Sequence, residues 1–395
     1  MTAVISTLFY ASAAPAATDF GRCVGELQQK ARQEGISGNV VDTALANVSF
    51  NKRVIELDRR QPEFTATFAG YLNRRVTEDK VRRGRDLLAE HRSLLRRITR
   101  RYGVPGHYLV AFWGIETHYG RYFGKMPVLD SLATLACDER RSAYFTNQLM
   151  AALHIVDAGD ISAERMNGSW AGAMGNFQFM PSVFQRYTVD YDGDGRRDVW
   201  HDLPDAFASA ANFLQALGWE KGTRWGREVR LPEGFPYHLA GIDNKRPLSE
   251  WRKLGIRDAD GNALPRADLK AALLVPSGHR GPAFLVYHNF RVIMRWNRSQ
   301  FYALAVGHLA DRIAGAAPLR QPPPADLERL SRDTVKTLQQ RLRERGFDAG
   351  EPDGIMGPLT RQAVRAFQRD RNMVADGYPG TEVFRALGME IQASR

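Results

Sequence analysis

One carboxylate in this sequence is placed where it could act as an acid. Pro105 suits the first turn of a helix and Gly120 suits a left-handed stop. Between them, positions i, i+3, i+4 and i+7 share one helix face and carry Leu109, Phe112, Trp113 and Glu116. Burial on such a stripe disfavours the charged carboxylate, so we expect a raised pKa for Glu116, as a general acid requires. The alternative is a structural Glu paired with one of the many arginines, because ion pairs also perturb pKa values.

A second informative stretch runs from Gly168 to Pro181. It sets the uncharged donors and acceptors Ser169, Asn176 and Gln178 among large apolar side chains, which are Trp170, Met174, Phe177 and Phe179. Hydroxyl-binding amides beside ring faces are typical of a sugar site. A tight glycine-containing turn beneath a core helix is the competing interpretation.

An acidic loop follows and resembles the first half of a calcium-binding loop. Asp190, Asp192 and Asp194 occupy its first, third and fifth positions, and Asp198 the ninth. The twelfth position should be Glu but is His201, with Asp202 one residue late. The sequence therefore indicates a structural calcium site with an altered end. The alternative is an acidic turn in which Asp202 caps a helix over 204–217.

The elements that must position these residues are mainly helices. Helical patterns cover 20–34, 37–46, one long basic helix after Glu78, then 128–135, 141–156, 204–217 and 289–314. Short apolar runs between Gly, Pro, Asn and Asp predict a small β-rich insertion at about 224–288. A proline-rich linker at 316–325 precedes a compact unit at 326–392 with three predicted helices, the second capped by Thr360. This last unit has no evident catalytic residue and is typical of a binding module.

Composition limits the function classes. The 395 residues suffice for two or three domains, and the net charge of +11 favours an anionic partner. No stretch reaches the roughly 18–20 apolar residues of a membrane span. The basic run 74–101 alternates with leucines at helical spacing, which favours a solvated helix face over nucleic-acid contact.

The N-terminal segment indicates export. Residues 1–18 are small and apolar and resemble a secretory signal whose start is truncated or misassigned, because the first basic residue is Arg22. Cys23 and Cys137 fit one disulfide in an oxidising compartment, and two unrelated buried thiols fit as well. The residues before Cys23 do not favour a lipid anchor.

Several ordered motifs together resemble a known family. Gly114-Ile-Glu-Thr-His-Tyr-Gly120, Gly168-Ser-Trp-Ala-Gly-Ala-Met-Gly and Gln178-Phe-Met-Pro181 look like the membrane-bound lytic transglycosylase B family. Asp353-Gly-x-x-Gly-Pro-x-Thr360 is similar to the hallmark of the peptidoglycan-binding type 1 domain. The resemblance implies a lysozyme-like, mainly α catalytic domain over 19–315 with the β-rich insertion, followed by a three-helix peptidoglycan-binding domain.

The same resemblance implies an activity. The family cleaves the β-1,4 bond between N-acetylmuramic acid and N-acetylglucosamine and leaves a 1,6-anhydro ring, with no cofactor required. Glu116 matches the single acid/base. Substrate contacts are implied for Tyr71, Arg140, Arg141, Ser169, Met174, Gln178, Phe179, Trp296, Asn297 and Tyr302. Trp296 and Phe213 stand where a tyrosine is expected, and the calcium loop has a counterpart in some members.

The resemblance also implies binding partners and a cellular location. Two alternative functions stay open. Peptidoglycan strands would be the substrate, cell-wall synthesis or division proteins would be partners, and the protein would be periplasmic and membrane- or wall-associated, without nucleic acid. One alternative is a hydrolytic muramidase with a second carboxylate among Asp130, Asp138 and Glu139. The other is a non-catalytic wall-binding scaffold.

Overall fold

A computed structural model describes residues 15–59 and 66–389 of the chain. Most of the predicted signal segment at 1–18, and the last three residues of the predicted unit 326–392, lie outside the described residues. The described residues form two compact units. One consists of 15–59 and 123–206, and the other of 66–122 and 207–389. Helices dominate both, so the prediction of a mainly α protein is confirmed.

The helices in chain order are α1 (Pro15–Gln33), α2 (Gly38–Val40), α3 (Lys52–Arg59), α4 (Phe68–Arg75), α5 (Glu78–Glu90), α6 (Arg92–Tyr102), α7 (Gly106–Thr117), α8 (Val128–Ala136), α9 (Ser142–Asp157), α10 (Pro181–Tyr187), α11 (Leu203–Ala216), α12 (Leu248–Lys253), α13 (His288–Trp296), α14 (Gln300–Ile313), α15 (Arg332–Glu344), α16 (Pro358–Asp370) and α17 (Thr381–Ala386). The strands are β1 (Met126–Pro127), β2 (Asn167–Gly168), β3 (Gly226–Arg230), β4 (Lys245–Pro247), β5 (Arg257–Asp258), β6 (Lys270–Leu274) and β7 (Ala283–Val286).

The first unit is built around the pair α8 and α9, against which α3 and α10 pack. Its core side chains include Leu132, Leu149 and Leu153, all fully buried. Cys23 in α1 forms a disulfide with Cys137 at the end of α8, 114 residues further along the chain. The structure therefore selects the disulfide from the two alternatives that the sequence left open.

The second unit places α14 against α4, α5 and α7. The predicted β-rich insertion is confirmed as an antiparallel sheet with strand order β4-β6-β7-β3-β5. A core containing Trp251, Leu273 and Leu285 fills one face of this sheet. Short apolar runs between Gly, Pro, Asn and Asp located this insertion in the sequence, and its central strands β6 and β7 are almost entirely buried.

Two long predicted helices are each broken in two. The basic helix changes direction at His91, which ends α5 and precedes α6. The predicted helix over 289–314 ends at Trp296 because Asn297 is extended, and the hydroxyl of Ser299 then caps α14 by accepting from the Tyr302 N–H at 3.3 Å. Ser and Asn offer such local bonds to the backbone, which compete with helix continuation.

The C-terminal unit contains the three predicted helices α15, α16 and α17 around Leu338, Val364 and Phe367. The sequence predicted that Thr360 caps the second helix, and this prediction is wrong. Gly357 is the residue before α16, and Thr360 is buried in the first turn, where its hydroxyl accepts from the Gln339 amide at 3.0 Å.

The proline-rich stretch predicted as a linker contacts the sheet. The backbone N–H groups of Arg320 and Gln321 donate to the Glu228 carboxylate on β3 at 2.9 and 2.8 Å. The Arg320 guanidinium also pairs with Asp260. This stretch is therefore held along the sheet by its own backbone.

In the part of the chain that the structure describes, no helix combines the length and apolar character needed to cross a bilayer.

Candidate active site

Glu116 lies on the last turn of α7, a helix that is almost wholly buried. Its neighbours on the predicted stripe are between 0 and 4% exposed, whereas Glu116 itself is half-buried. The helix ends in the left-handed conformation at His118, two residues before the predicted Gly120. His118 and Tyr119 have φ angles of 51° and 62°. Residues other than glycine rarely adopt this backbone conformation, so the backbone just after Glu116 is strained.

The Glu116 carboxylate receives two hydrogen bonds from aromatic side chains of the same unit. The Tyr302 hydroxyl donates to Oε1 in a short bond, and the Trp296 indole N–H donates to the same oxygen at 3.1 Å. Tyr302 lies on α14 and Trp296 at the end of α13, so the break between these helices lets both reach Glu116. The structure thus brings three predicted site residues together.

The Tyr302 hydroxyl is held as a hydrogen-bond donor to Glu116. It is 3% exposed, and burial, followed by the neighbouring charge of Glu116, raises its pKa well above the ordinary range. The predicted site residue Tyr71 belongs to the same neighbourhood. Its ring lies 6.0 Å from that of Phe301, and the Arg75 guanidinium lies 5.6 Å above it.

Trp296 is packed between two rings, with centroid distances of 4.6 Å to Phe112 and 5.0 Å to Phe213. The sequence suggested that Trp296 loses a hydroxyl where the family has tyrosine. The structure shows that its indole N–H supplies a donor to Glu116 instead. Asn297, also predicted as a substrate contact, directly follows α13, and its side-chain Oδ1 accepts from the Ser299 N–H at 3.1 Å.

The predicted sugar-binding loop belongs to the first unit. Met174 and Phe179 pair through two backbone hydrogen bonds of 2.9 Å and are 0 and 2% exposed. Their pairing supports the loop from within, and the lining role predicted for them stays a prediction. Ser169 is half-buried, and its hydroxyl oxygen accepts from the N–H groups of Ala171 and Ala173.

Gln178 is held in an unusual backbone conformation, with φ at 50°. Its amide nitrogen donates to the carbonyls of Phe123 and Gly175, each at 3.1 Å. Among the described residues, none donates to its side-chain oxygen, which leaves that atom able to accept from a ligand. Gly124 allows the chain to pass close to this loop, because a Cβ there would lie 1.9 Å from the Gly168 carbonyl oxygen.

Arg140 and Arg141 share one buried carboxylate, which the sequence analysis missed. Both guanidinium groups donate to Oδ1 of Asp58, at 2.9 and 2.8 Å, and Asp58 is 2% exposed. The Arg141 side chain also stacks on Phe145 at 4.6 Å. Asp58 lies 82 residues upstream in an unremarkable helical segment, so no local signal marked it.

The acidic loop brings together three of its four predicted metal ligands. Carboxylate oxygens of Asp190, Asp192 and Asp194 lie within 4.8 Å of one another. Asp198 is separate from this group, and its Oδ1 accepts from the N–H groups of Trp200 and His201. Asp202 accepts from the Asp205 N–H at 2.8 Å, as expected for a helix cap.

Two of the three carboxylates proposed for a muramidase are engaged within the first unit. Asp130 accepts from the Ser49 N–H at 3.3 Å, and Asp138 pairs with Arg59 at 2.8 Å. Glu139 is exposed at the surface.

Comparison with known proteins defines the class. Residues 19–311 match the family model described as the transglycosylase SLT domain, and residues 331–387 match that of a peptidoglycan binding domain. The chain is similar to SltB3 from Pseudomonas aeruginosa, solved in complex with NAG-anhNAM-pentapeptide, with 45% identity and a TM-score of 0.90. That similarity covers 94% of this chain and 99% of SltB3.

Two Escherichia coli relatives are more distant. The lytic transglycosylase Slt35, solved in complex with calcium, is 30% identical, with a TM-score of 0.64 over 74% of this chain and 92% of Slt35. Membrane-bound lytic murein transglycosylase B is 34% identical over 257 residues, which are 62% of this chain and 66% of that protein.

The fold is therefore that of the lysozyme-like SLT enzymes, followed by a peptidoglycan-binding helical domain. The chain belongs to the lytic transglycosylase family, whose members cleave peptidoglycan glycan strands in a lyase-type reaction. Family membership selects this class over the muramidase and scaffold alternatives.

Proposed function

We propose that Glu116 is the single acid/base with which this chain cleaves the β-1,4 bond between N-acetylmuramic acid and N-acetylglucosamine. The observation that carries this proposal is the geometry of its carboxylate, held at the end of a buried helix by Tyr302 and Trp296. The anhydro sugar in the complex of the similar SltB3 supports a product with a 1,6-anhydromuramic end.

The reaction needs one proton donor that later becomes a proton acceptor. Protonated Glu116 gives its proton to the glycosidic oxygen as the bond from that oxygen to C1 breaks. The resulting carboxylate takes the proton of the C6 hydroxyl, whose oxygen bonds to C1 and closes the ring. The substrate's 2-acetamido group assists departure of the leaving group. Because the nucleophile belongs to the substrate, a second carboxylate and an attacking water are not needed, unlike in the common glycosidase schemes.

The two aromatic donors act on the charged form of Glu116. Hydrogen bonds to a carboxylate stabilise it, so Tyr302 and Trp296 favour the state that forms after the first proton transfer. They also fix one oxygen in position, which aligns the carboxyl with the bond to be cleaved.

The remaining site residues are proposed as substrate contacts. The Gln178 side-chain oxygen and the Ser169 hydroxyl would bind sugar hydroxyl or acetamido groups, and Tyr71 and Asn297 are proposed as further substrate contacts. Arg140 and Arg141 would face the anionic strand, since both keep more than a third of their side-chain surface exposed while paired to Asp58.

The chain's organisation and location are part of the same proposal. The catalytic domain would span 19–315, the connection 316–325 and the binding domain 326–392. We place the protein in the periplasm, associated with the membrane or the wall and working beside cell-wall synthesis or division proteins.

The acidic loop would hold a structural calcium ion, not a reactant. Its fit rests on the three clustered carboxylates and on the folding of the loop, in which Asp190 accepts from the N–H groups of Gly193 and Gly195 at 2.7 and 2.9 Å. Oxygen ligands from successive aspartates are those that Ca²⁺ prefers. The calcium complex of the similar Slt35 supports the assignment.

Mass spectrometry of the muropeptides released from purified peptidoglycan tests the reaction. We expect anhydromuramyl products from the wild-type protein and none from Glu116→Gln, which keeps the side-chain size and loses the proton. Glu139→Gln, an exposed carboxylate in the other unit, is the matched control and should release wild-type products. Reducing ends from the wild type would indicate a muramidase. Release of anhydro products by Glu116→Gln would refute the role of Glu116.

A further inference from the structure

The helix α6 presents a cationic surface that the proposed chemistry does not use. The helix packs on α5 and α7, and its buried residues are Leu95, Ile98 and Tyr102. Every charged residue of α6 is exposed and is an arginine. These residues, which we call the α6 arginine face, are Arg92, Arg96, Arg97, Arg100 and Arg101.

The charge of this face is not balanced by acidic residues. No Asp or Glu occurs between Glu90 and Glu116 in the sequence. Among the described residues, no acidic side chain forms an ion pair with the first four arginines of the face, and Arg97 donates to the Ser93 hydroxyl at 3.0 Å. The preceding helix α5 differs, because it carries four acidic and four basic residues. The excess positive charge of this helix pair therefore belongs to α6.

The spacing of the arginines makes them repel one another. Residues four apart are neighbours on a helix, and three such pairs in α6 consist of two arginines, at positions 92 and 96, 96 and 100, and 97 and 101. Like charges at this spacing destabilise a helix. Arg92 also places a positive charge in the first turn, where the helix dipole is already positive. A partner with many negative charges would remove this repulsion.

The composition and form of the face favour one class of anionic partner. Apart from the arginines, the only exposed residue of α6 is Ser93, so the helix offers no exposed ring on which a nucleic-acid base could stack. Sugars and peptides are bound in concave sites by a few directed polar groups. A single helix face instead presents a row of charge, roughly 12 Å long from Arg92 to Arg100. Such a row fits a planar array of phosphate groups, whose oxygens match guanidinium groups well.

We propose that the α6 arginine face binds the phosphate groups of an anionic lipid bilayer. The proposal rests on the proposed location of the protein at a membrane and deepens it by naming the surface that makes the contact.

The position of α6 is compatible with catalysis by a membrane-attached enzyme. Leu95 of α6 contacts the start of α7, where a Cβ on Gly106 would lie 2.9 Å from the Leu95 Cβ. Glu116 lies on the last turn of the same helix, about 15 Å further along its axis. Attachment through α6 therefore holds one end of α7 and leaves the reacting carboxyl at the other end.

Sedimentation of the full chain with lipid vesicles tests this face. The probes are vesicles of phosphatidylglycerol mixed with phosphatidylcholine, and vesicles of phosphatidylcholine alone. We expect the wild-type protein to bind the anionic vesicles more tightly than the others, and added salt to weaken this binding. The triple variant Arg92→Gln, Arg96→Gln, Arg100→Gln should bind the anionic vesicles roughly 100-fold more weakly, which is about fivefold for each arginine.

A second triple variant is the matched control. Arg230→Gln, Lys253→Gln and Arg266→Gln together remove the same charge from exposed positions in the sheet region of the same unit. This control should bind anionic vesicles like wild type. Equal loss of binding in the two triple variants would show that net charge alone drives the attraction and would overturn the assignment to α6.

Other outcomes would also overturn the proposal. These are equal binding of wild type to both kinds of vesicle, and unchanged binding in the α6 triple variant. A third is pelleting with purified peptidoglycan sacculi that falls in the α6 variant while wild type binds no vesicles, which would assign the face to the cell wall.

Two controls separate lost binding from lost folding and from lost catalysis. The α6 variant removes two like-charged pairs, so it should melt at or above the temperature of wild type. It should also release anhydro products from soluble glycan strands at the wild-type rate. Failure of the proposed reaction would instead abolish this release in wild type and leave vesicle binding intact.

Discussion

The indole N–H of Trp296 donates to Oε1 of Glu116 at 3.1 Å, across 180 residues of sequence. The same oxygen accepts from Tyr302, so one carboxylate atom receives two aromatic donors. Phe112 and Phe213 clamp the Trp296 ring on either side. Packing thus fixes the orientation of the donor, and the donor fixes the orientation of the carboxylate.

Tyr302→Phe should lower kcat with little change in KM. The substitution keeps the ring and removes a hydrogen bond to a charged group, which is worth about 1.5–3 kcal/mol and corresponds to roughly 10–100-fold in rate. Steady-state release of anhydro products on a defined glycan measures both constants.

The matched control for Tyr302→Phe is Tyr119→Phe. That variant also loses a hydroxyl, one that is half-buried and donates to the Lys80 carbonyl at 2.7 Å and not to Glu116. We expect it to lower the melting temperature while kcat stays within about twofold of wild type. Equal loss of kcat in both variants would show that the Tyr302 bond has no special role.

Replacing both Cys23 and Cys137 with serine should destabilise the protein strongly. The disulfide joins positions 114 residues apart, and closing a loop of that length lowers the entropy of the unfolded chain by an amount worth about 5 kcal/mol. Urea unfolding of the first unit, followed in oxidised wild type and in the double variant, measures the difference. Dithiothreitol should cause the same loss of stability in wild type and leave the stability of the double variant unchanged. Two titratable thiols in untreated wild type would contradict the disulfide.

Calcium should raise the melting temperature of wild type by several degrees. Saturation of a site at 100 times its Kd stabilises the native state by about 2.7 kcal/mol. Asp190→Asn and Asp194→Asn each remove one clustered carboxylate and should abolish the shift, as should EDTA. Asp86→Asn on the exposed face of α5 is the control and should keep it. A magnesium shift equal to that of calcium would argue against a calcium loop.

Lys80→Met should stabilise the protein at neutral pH. Lys80 is 6% exposed, and among the described residues its Nζ has no hydrogen-bond partner. Burial, followed by the charge of Arg75, lowers its pKa from 10.5 to about 8. The folded state therefore binds fewer protons than the unfolded state between about pH 8 and 10.5. The cost of charging Lys80 is fully present below pH 8 and disappears as the pH rises towards 10.5.

This cost is on the order of 2 kcal/mol after allowance for solvent screening. Urea unfolding should consequently show Lys80→Met more stable than wild type at pH 7, with a smaller difference at pH 9.5. Lys125→Met at an exposed position should show no such dependence. A variant less stable than wild type at pH 7 would mean that the Lys80 ammonium group has a stabilising role.

The apolar periodicity of the sequence was sufficient to locate α7 and to single out Glu116, because a helix face is determined by local spacing. It also located the three C-terminal helices, and short apolar runs between turn residues located the small sheet. Both signals are equally local. Chemical motifs pointed to the acidic loop in the same way.

Contacts between distant residues were decided only by the tertiary structure. The break at Asn297 lets Trp296 and Tyr302 meet one oxygen of Glu116. The Asn and Ser at this point favour a break, but the helical pattern continues through them, so the sequence was interpreted as one helix. Asp58 is the partner of Arg140 and Arg141 because α3 packs on α8, and this packing is not evident from the sequence. Such pairings depend on which buried faces meet, and the free energy that selects them comes from burial and hydrogen bonding across the whole unit, not from any one segment.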